Sequence, residues 1–250
     1  MHSLIIAFAT YSRIPMPRAD WSEENRRYAL CFFPMVGLVA GGAVGLWIWL
    51  CGALAIPSAI QGAVGAALPL CITGGIHMDG FMDTVDALAS WQPRERRLEI
   101  LKDTHTGAFA VMGCAAYLLI MAALLGSADA RLAPAIGTCY VLSRAGSALT
   151  VALLPSARPD GMLAALSQGP QKRTVLLSSV AYIALALAGI ALTGIGTAAF
   201  VALALICCIL YYRHMALSSF GGVTGDLAGW FVQVFEIFGI FACLLGRFIL

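Results

Sequence analysis

The chain has 250 residues, of which 60% are hydrophobic and only 11% are charged. Soluble domains average about 45–50% apolar and about 25% charged residues, so this chain lacks the ionisable side chains that would cover a water-soluble globule. Its net charge of +2, from 15 Lys and Arg against 13 Asp and Glu, is too balanced for nucleic-acid binding through a general basic surface. The composition therefore excludes a soluble enzyme and predicts an integral membrane protein.

Long uncharged stretches divide the chain into predicted spans. A helix needs about 17–25 residues to cross the hydrocarbon core of a bilayer. Seven such stretches predict an all-α, polytopic membrane helical bundle with seven transmembrane helices, or six if the second or the sixth stretch, which prolines or glycines interrupt, does not cross. The predicted spans are 30–56, 58–76, 108–126, 132–154, 174–195, 197–212 and 227–246.

The segments that connect the spans differ in positive charge. Twelve of the fifteen Lys and Arg residues fall in alternate segments, whereas the segments between these hold only Arg131 and Arg247. Because cytoplasmic loops carry the excess of Lys and Arg, this distribution predicts a multi-pass protein with a cytoplasmic N-terminus. Residues 1–250 are predicted to form one membrane domain. The basic segments are the cytoplasmic or interfacial N-terminal segment 1–29 and the loops 77–107, 155–173 and 213–226.

The densest group of acids lies in loop 77–107. Asp79, Asp83 and Asp86 are spaced i, i+4, i+7, so on a helix their carboxylates share one face. Like charges at this spacing repel each other, and a hard cation bound between them would remove the repulsion. Mg²⁺ prefers oxygen ligands and usually keeps waters and substrate phosphates bound. The stripe predicts a Mg²⁺ site that handles phosphates; the alternative is an acidic helix face that meets solvent or nearby arginines.

Two further segments on the same predicted side could complete such a site. Segment 102–107 offers a fourth acid, hydroxyls and a cation at the start of the third span. Segment 221–226 is a glycine-rich turn before the last span, where a helix N-terminus favours anions, although Asp226 as a simple N-cap fits the spacing equally well. The candidates from these segments are Lys102, Asp103, His105, Thr224 and Asp226.

Arg144 lies inside the fourth predicted span, where a guanidinium must find a partner or line a polar cavity. Arginine favours bidentate contact with phosphate or carboxylate. The sequence leaves two interpretations open, a ligand of substrate phosphate and a structural ion pair with one of the aspartates.

Five motifs follow one another along the chain from about residue 8 to the last span. They are Y-S-R-I-P-M-P at 11–17, G-G-I-H-M-D-G-F-M-D-T-V-D at 74–86, K-D-T-H-T-G-A-F at 102–109, Ser143-Arg144, and G-G-V-T-G-D at 221–226. In these motifs and their order the chain resembles the cobalamin synthase family, the adenosylcobinamide-GDP ribazoletransferases. The chain departs from the usual family pattern at Ala87, where a glycine is usual, and at His105, where an arginine is usual.

The resemblance implies a Mg²⁺-dependent enzyme of the bacterial inner membrane, with its active site in the cytoplasm. Such an enzyme joins adenosylcobinamide-GDP to α-ribazole or its 5′-phosphate and releases GMP, in the last steps of cobalamin biosynthesis. Its implied partners are these substrates and membrane lipids, and homo-oligomers or contacts with other enzymes of the pathway are left open. The hypothesis assigns catalysis to Asp79, Asp83, Asp86 and Arg144, substrate binding to Lys102, His105, Thr224, Asp226, Arg13 and Arg158, and Mg²⁺ binding to Asp79, Asp83, Asp86 and Asp103.

Two other functions remain as alternatives. A CDP-alcohol-type phosphotransferase also uses spaced aspartates at a membrane face, but it usually has an Ala-Arg pair after the first Asp-Gly, where this chain has Phe81-Met82. A secondary transporter should place ionisable groups deep in several spans and show internal symmetry. This chain places mainly Arg144 and Glu236 inside predicted spans, which disfavours transport.

Overall fold

A computed structural model describes residues 1–158 and 171–247, so the part of loop 155–173 at 159–170 lies outside the described residues. The described chain is all-α, as predicted, and its only β contact is an isolated bridge between Ser156 and Val223. The helices are α1 (His2–Tyr11), α2 (Glu23–Arg27), α3 (Phe33–Leu54), α4 (Ser58–Thr73), α5 (Ile76–Ala89), α6 (Arg94–Ile100), α7 (Ala108–Gly126), α8 (Ala133–Leu153), α9 (Gln171–Ala191), α10 (Ile195–Met215) and α11 (Gly225–Gly246).

Within the described ranges, six helices are long and apolar enough to cross a membrane. They are α3 with its preceding turn, α7, α8, α9, α10 with its following turn, and α11, and they correspond to six of the seven predicted spans. The second predicted span corresponds to α4, which has 16 residues and passes the same test only together with α5, to which it is joined by a bend of 100°. The described residues thus contain six candidate spans, or seven if the bent pair counts as one.

Two glycines make the bend between α4 and α5. Gly74 and Gly75 have φ angles of +69° and +80°, in the left-handed region that side chains with a Cβ rarely adopt. Gly74 also lies against Arg13, since a Cβ added there would lie 2.6 Å from Cγ of Arg13. Because of the bend, α5 does not continue in the direction of α4 but packs beside the first half of α7, where Phe81 contacts Tyr117, and we treat it as outside the spans.

Four of the connecting segments meet at the end of the bundle where α5 lies. The backbone N–H of Arg13 donates to the carbonyl of Ile72 at the end of α4 (2.8 Å). Arg158, after α8, donates from its guanidinium to the carbonyl of Leu98 in α6 (2.9 Å). The segment before α11 pairs with the segment after α8 through the isolated bridge. These contacts bring together the four segments that carry most of the positive charge, and the cytoplasmic location of this end stays a prediction.

Helix α8 lies at the centre of the bundle. In the most apolar 18-residue stretch of α8, 78% is buried inside the protein, whereas the corresponding share is 22% in α7 and in α9. It packs closely on α3 because glycines line the contact: a Cβ at Gly37 or Gly41 would clash with the α8 backbone. The central position of α8 decides the environment of Arg144, which this helix carries.

Candidate active site

Helix α5 carries the predicted aspartate stripe. Asp79 is exposed and Asp83 and Asp86 are half-buried, as expected for the outward face of a helix whose other face packs on the bundle. The opposite face packs inward and is mainly apolar, with His77 and Thr84 as its polar members. The buried residues of α5 are His77, Met78, Gly80, Phe81, Thr84 and Ala87.

Asp83 lies in a field of negative charge. Its partial burial, followed by the charges of Asp79, Asp226 and Asp86, raises the pKa of its carboxyl from 3.8 to about 6. Carboxylates from α5 and from the first turn of α11 are therefore close enough to repel each other. Asp226 thus adds a carboxylate from a distant part of the chain to the aspartates of α5.

Asp86 has a structural partner of its own. Its carboxylate accepts hydrogen bonds from the backbone N–H groups of Gly107 (2.6 Å) and Ala110 (2.8 Å) at the start of α7. A Cβ at Gly107 would lie 2.5 Å from Oδ2 of Asp86, so a glycine permits this approach. Asp86 thus caps α7, which the sequence did not predict.

The turn at 102–106 projects into solvent and does not reach the stripe. Asp103 accepts a hydrogen bond from the backbone N–H of His105 (3.0 Å), and its Oδ1 lies 2.7 Å from Nδ1 of the same histidine. These bonds lower the pKa of Asp103. Lys102 and His105 are also exposed, and the His105 side chain is 91% accessible. Asp103 is therefore not brought together with the other predicted metal ligands.

Thr224, and not Asp226, caps α11. Its Oγ1 accepts a hydrogen bond from the backbone N–H of Leu227 (3.2 Å) and lies 3.4 Å from Oδ2 of Asp226. The backbone N–H groups of residues 221–223 all donate to backbone carbonyl oxygens. The glycine turn therefore offers no free N–H at these positions for an anion, and Asp226 remains available for contacts outside its own helix.

Acidic and basic side chains line the same cavity, of about 330 Å³, next to the aspartate stripe. Asp79, Asp226 and Arg158 contribute the charged lining, and Thr224 lies beside them. The Nε atom of Arg158 is buried without a hydrogen-bond partner among the described residues. Arg13 lies at the nearby bend but does not line this cavity. The other lining residues are Thr10, Tyr11, Ile76, His77, Ser156, Val223 and Gly225.

Arg144 does not lie where a ligand of substrate phosphate would be expected. Its side chain is 1% exposed and forms a salt bridge with Glu236 in α11. Ser143 accepts a hydrogen bond from the same guanidinium (2.8 Å), and the hydroxyl of Tyr117 donates to Glu236 (3.1 Å). Arg144 does not line the cavity beside the stripe. Its placement favours the structural ion pair, with a glutamate as the partner where the sequence suggested an aspartate.

The donor atoms at the stripe suit a hard cation. Among the residues described, no three His, Cys, Asp or Glu side chains stand as a ready set of metal ligands. Mg²⁺, however, is usually held by one or two carboxylates together with waters and substrate phosphates. Asp79, Asp83 and Asp226 supply oxygen donors whose mutual repulsion a cation would relieve, so they fit Mg²⁺ in donor chemistry.

Comparisons with known proteins agree over the whole chain. An adenosylcobinamide-GDP ribazoletransferase from Lachnoclostridium phytofermentans is 37% identical over 247 residues, which cover 99% of this chain and 95% of the relative. One from Desulfitobacterium hafniense is 33% identical over 256 residues, covering 99% and 97%. No solved structure gives a significant match. The profile of the family described as cobalamin-5-phosphate synthase matches residues 3–244, and the chain belongs to this family.

Proposed function

We propose that the chain is an adenosylcobinamide-GDP ribazoletransferase of the bacterial inner membrane. It joins adenosylcobinamide-GDP to α-ribazole or its 5′-phosphate and releases GMP. The observation that carries the proposal is the cavity where carboxylates of α5 and α11 face Arg158, in a membrane bundle whose whole length matches this family. Such a cavity suits a substrate with a pyrophosphate.

The carboxylates are proposed to hold Mg²⁺. We assign this function to Asp79, Asp83 and Asp226, with Asp226 in place of the exposed Asp103 and with Asp86 as a cap that supports the stripe. When bound, the cation supplies charge neutralisation for the pyrophosphate. Arg158 binds a phosphate oxygen through its Nε, which has no hydrogen-bond partner among the described residues.

The transfer exchanges one bond to phosphorus for another. A ribose hydroxyl oxygen of α-ribazole attacks the phosphorus that bears the aminopropanol arm of the corrinoid. The bond from this phosphorus to the oxygen of GMP breaks, and GMP leaves with that oxygen. Asp83, which lies among the other carboxylates of the site, accepts the hydroxyl proton. The cavity contributes mainly by holding the two substrates in line.

The active site is proposed to face the cytoplasm, because the end of the bundle that holds it carries most of the Lys and Arg residues. Labelling intact cells with an impermeant maleimide tests this orientation. The variants would carry one new cysteine, at Lys102 on the site end or at Ser127 on the opposite end, in a chain without the exposed Cys71 and Cys207. We expect label only on the opposite end. Label on the site end alone would reverse the orientation.

Turnover by the purified chain in nanodiscs tests the reaction. We expect release of GMP and of a corrinoid product from adenosylcobinamide-GDP and α-ribazole 5′-phosphate, with Mg²⁺ required. Asp83→Asn should lower turnover at least about a hundredfold, since it removes a metal ligand and the proton acceptor. Glu24→Gln changes an exposed acid of the N-terminal segment in the same way and should leave turnover unchanged. Full turnover by folded Asp83→Asn would contradict the carboxylate mechanism, and product from CDP-alcohol substrates alone would favour the other phosphotransferase class.

A further inference from the structure

His77 is a buried polar residue in the first turn of α5, two positions before Asp79. Only 4% of its surface is exposed. Its ring packs edge-on against Phe33 (5.3 Å between ring centroids) and lies 6.2 Å from the ring of Tyr11. Its Nε2 atom is buried and has no hydrogen-bond partner among the described residues. Buried polar atoms are nearly always hydrogen-bonded, so an unpartnered nitrogen here points to a partner that the described residues do not supply.

The imidazole ring of His77 lines two cavities. The outer cavity, of about 330 Å³, is the charged one beside the aspartate stripe. A second, inner cavity of about 50 Å³ extends toward α8, where it is lined by Ser147 and Ala148. Tyr11, His77 and Gly225 line both cavities. The two cavities are therefore neighbours, and the His77 side chain lies between them.

The inner cavity differs from the outer one in chemistry. Its described lining contains no ionised side chain, whereas Asp79, Asp226 and Arg158 line the outer cavity. The hydroxyl of Ser147 is already used, because it donates to the carbonyl of Ala228 (3.1 Å). A charged phosphate is disfavoured in such a space, since burying it unpaired is costly. The volume and the one available nitrogen suit a small neutral group that hydrogen-bonds, which is a hydroxyl.

We propose that His77 is a further substrate-binding residue, whose Nε2 hydrogen-bonds a ribose hydroxyl of α-ribazole. The inference rests on the proposed function. The accepting nucleoside must bring a hydroxyl to the phosphorus beside Asp79 and Asp83, so its ribose lies next to the carboxylates. The ribose of the guanosine is separated from this phosphorus by a second phosphate. The inner cavity therefore matches the accepting nucleoside better than the nucleotide that leaves.

Binding of α-ribazole to the purified chain in nanodiscs, measured by equilibrium dialysis without corrinoid or metal ion, tests this directly. His77→Phe keeps the aromatic packing but removes the nitrogen, and we expect binding to weaken roughly tenfold. In His77→Gln the amide nitrogen reaches the position of Nε2, so binding should stay within about threefold of the unchanged chain. Thr84→Val is the control, because Thr84 is fully buried in the same helix and its hydroxyl bonds only within α5.

Steady-state kinetics separate binding from local distortion. In His77→Phe the KM for the nucleoside should rise roughly tenfold, and the KM for adenosylcobinamide-GDP should change less than about threefold. If His77→Phe does not fold, His77→Asn replaces it, because its shorter amide matches Nδ1 and does not reach Nε2. Three results would each overturn the inference. They are unchanged nucleoside binding by His77→Phe, an equal rise in KM for both substrates, and no nucleoside binding by the unchanged chain. Nucleoside binding that depends on His77, without release of GMP, would contradict the proposed reaction alone.

Discussion

Asp83 is a residue of the site whose acidity the fold changes. Burial and the neighbouring carboxylates raise its pKa from 3.8 to about 6, so the folded chain holds this proton more tightly than the unfolded chain does. Without a metal ion, the resulting contribution to stability is present below pH 3.8 and is lost as the pH rises to about 6.

The same shift predicts how Mg²⁺ activation depends on pH. Because a proton and a cation compete for the Asp83 carboxylate, we expect the Mg²⁺ concentration for half-maximal GMP release to rise up to about tenfold per unit below pH 6. It should be nearly constant above pH 7. The measurement is a Mg²⁺ titration of GMP release between pH 5 and 8 in the unchanged chain. A half-maximal concentration that does not change over this range would show that Asp83 is not a ligand.

Asp86 is predicted to act through helix α7. Asp86→Ala removes the acceptor of two backbone hydrogen bonds, so the chain should lose about 1 kcal/mol of unfolding free energy. Asp83→Asn removes charge repulsion and should not destabilise the chain. Thermal unfolding in one detergent compares the two variants. Equal stability of Asp86→Ala and the unchanged chain would remove the capping interpretation.

Sequence spacing predicted the aspartate stripe, because side chains at i, i+4 and i+7 share a helix face whatever surrounds the helix. It did not predict that Asp86 bonds to the start of α7 twenty-one residues later, or that Asp226 and not Asp103 lies near Asp83. These pairings depend on how distant segments fold back on each other. The buried Nε2 of His77 likewise has no signature in the sequence beyond its place beside the acids.

At the scale of elements, the bend between α4 and α5 positions the site. It turns the polypeptide by 100°, so α5 does not continue in the direction of α4 and its acidic face comes to lie near Asp226 at the start of α11. The glycine pair and the proline inside α4 are both visible in the sequence. The sequence showed a weak second span, but the direction of the turn needed the backbone angles.

Gly74→Ala tests the importance of the bend. Alanine in the left-handed region costs about 1–2 kcal/mol, and its Cβ would also meet the side chain of Arg13. We expect lower thermal stability and a lower rate of GMP release, because α5 would shift relative to α11. Gly42→Ala is the matched control, since Gly42 lies in α3 and a Cβ there meets nothing within 4 Å. Equal behaviour of the two variants would show that the bend tolerates change.

At the scale of the whole molecule, a buried ion pair connects two central helices. Arg144 of α8 and Glu236 of α11 are almost fully buried, and hydrogen bonds from Ser143 and Tyr117 surround them. Charged groups at this depth need partners, and their pairing fixes how the two helices align. Since α11 also carries Asp226 at its start, this alignment contributes to the position of the site.

A double variant separates the structural function of Arg144 from a catalytic one. Arg144→Met should destabilise the chain by about 3–5 kcal/mol, because it leaves the buried Glu236 without its cation. Adding Glu236→Leu should restore most of the stability, and GMP release should return with it. Thermal unfolding and turnover are measured on the same preparations. A stable double variant without turnover would instead support contact of Arg144 with substrate.

The amino-acid sequence by itself determined the membrane environment, the approximate spans, the segregation of basic segments to one end and the acidic face of α5. These properties follow from composition and from helical periodicity, which are local. Tertiary structure decided which distant residues meet: Asp226 with the stripe, Asp103 with His105 in solvent, and Arg144 with Glu236 in the core. The reason is that the partner of each polar group depends on the packing of α8 at the bundle centre and on the glycine bend, and neither follows from spacing along the chain.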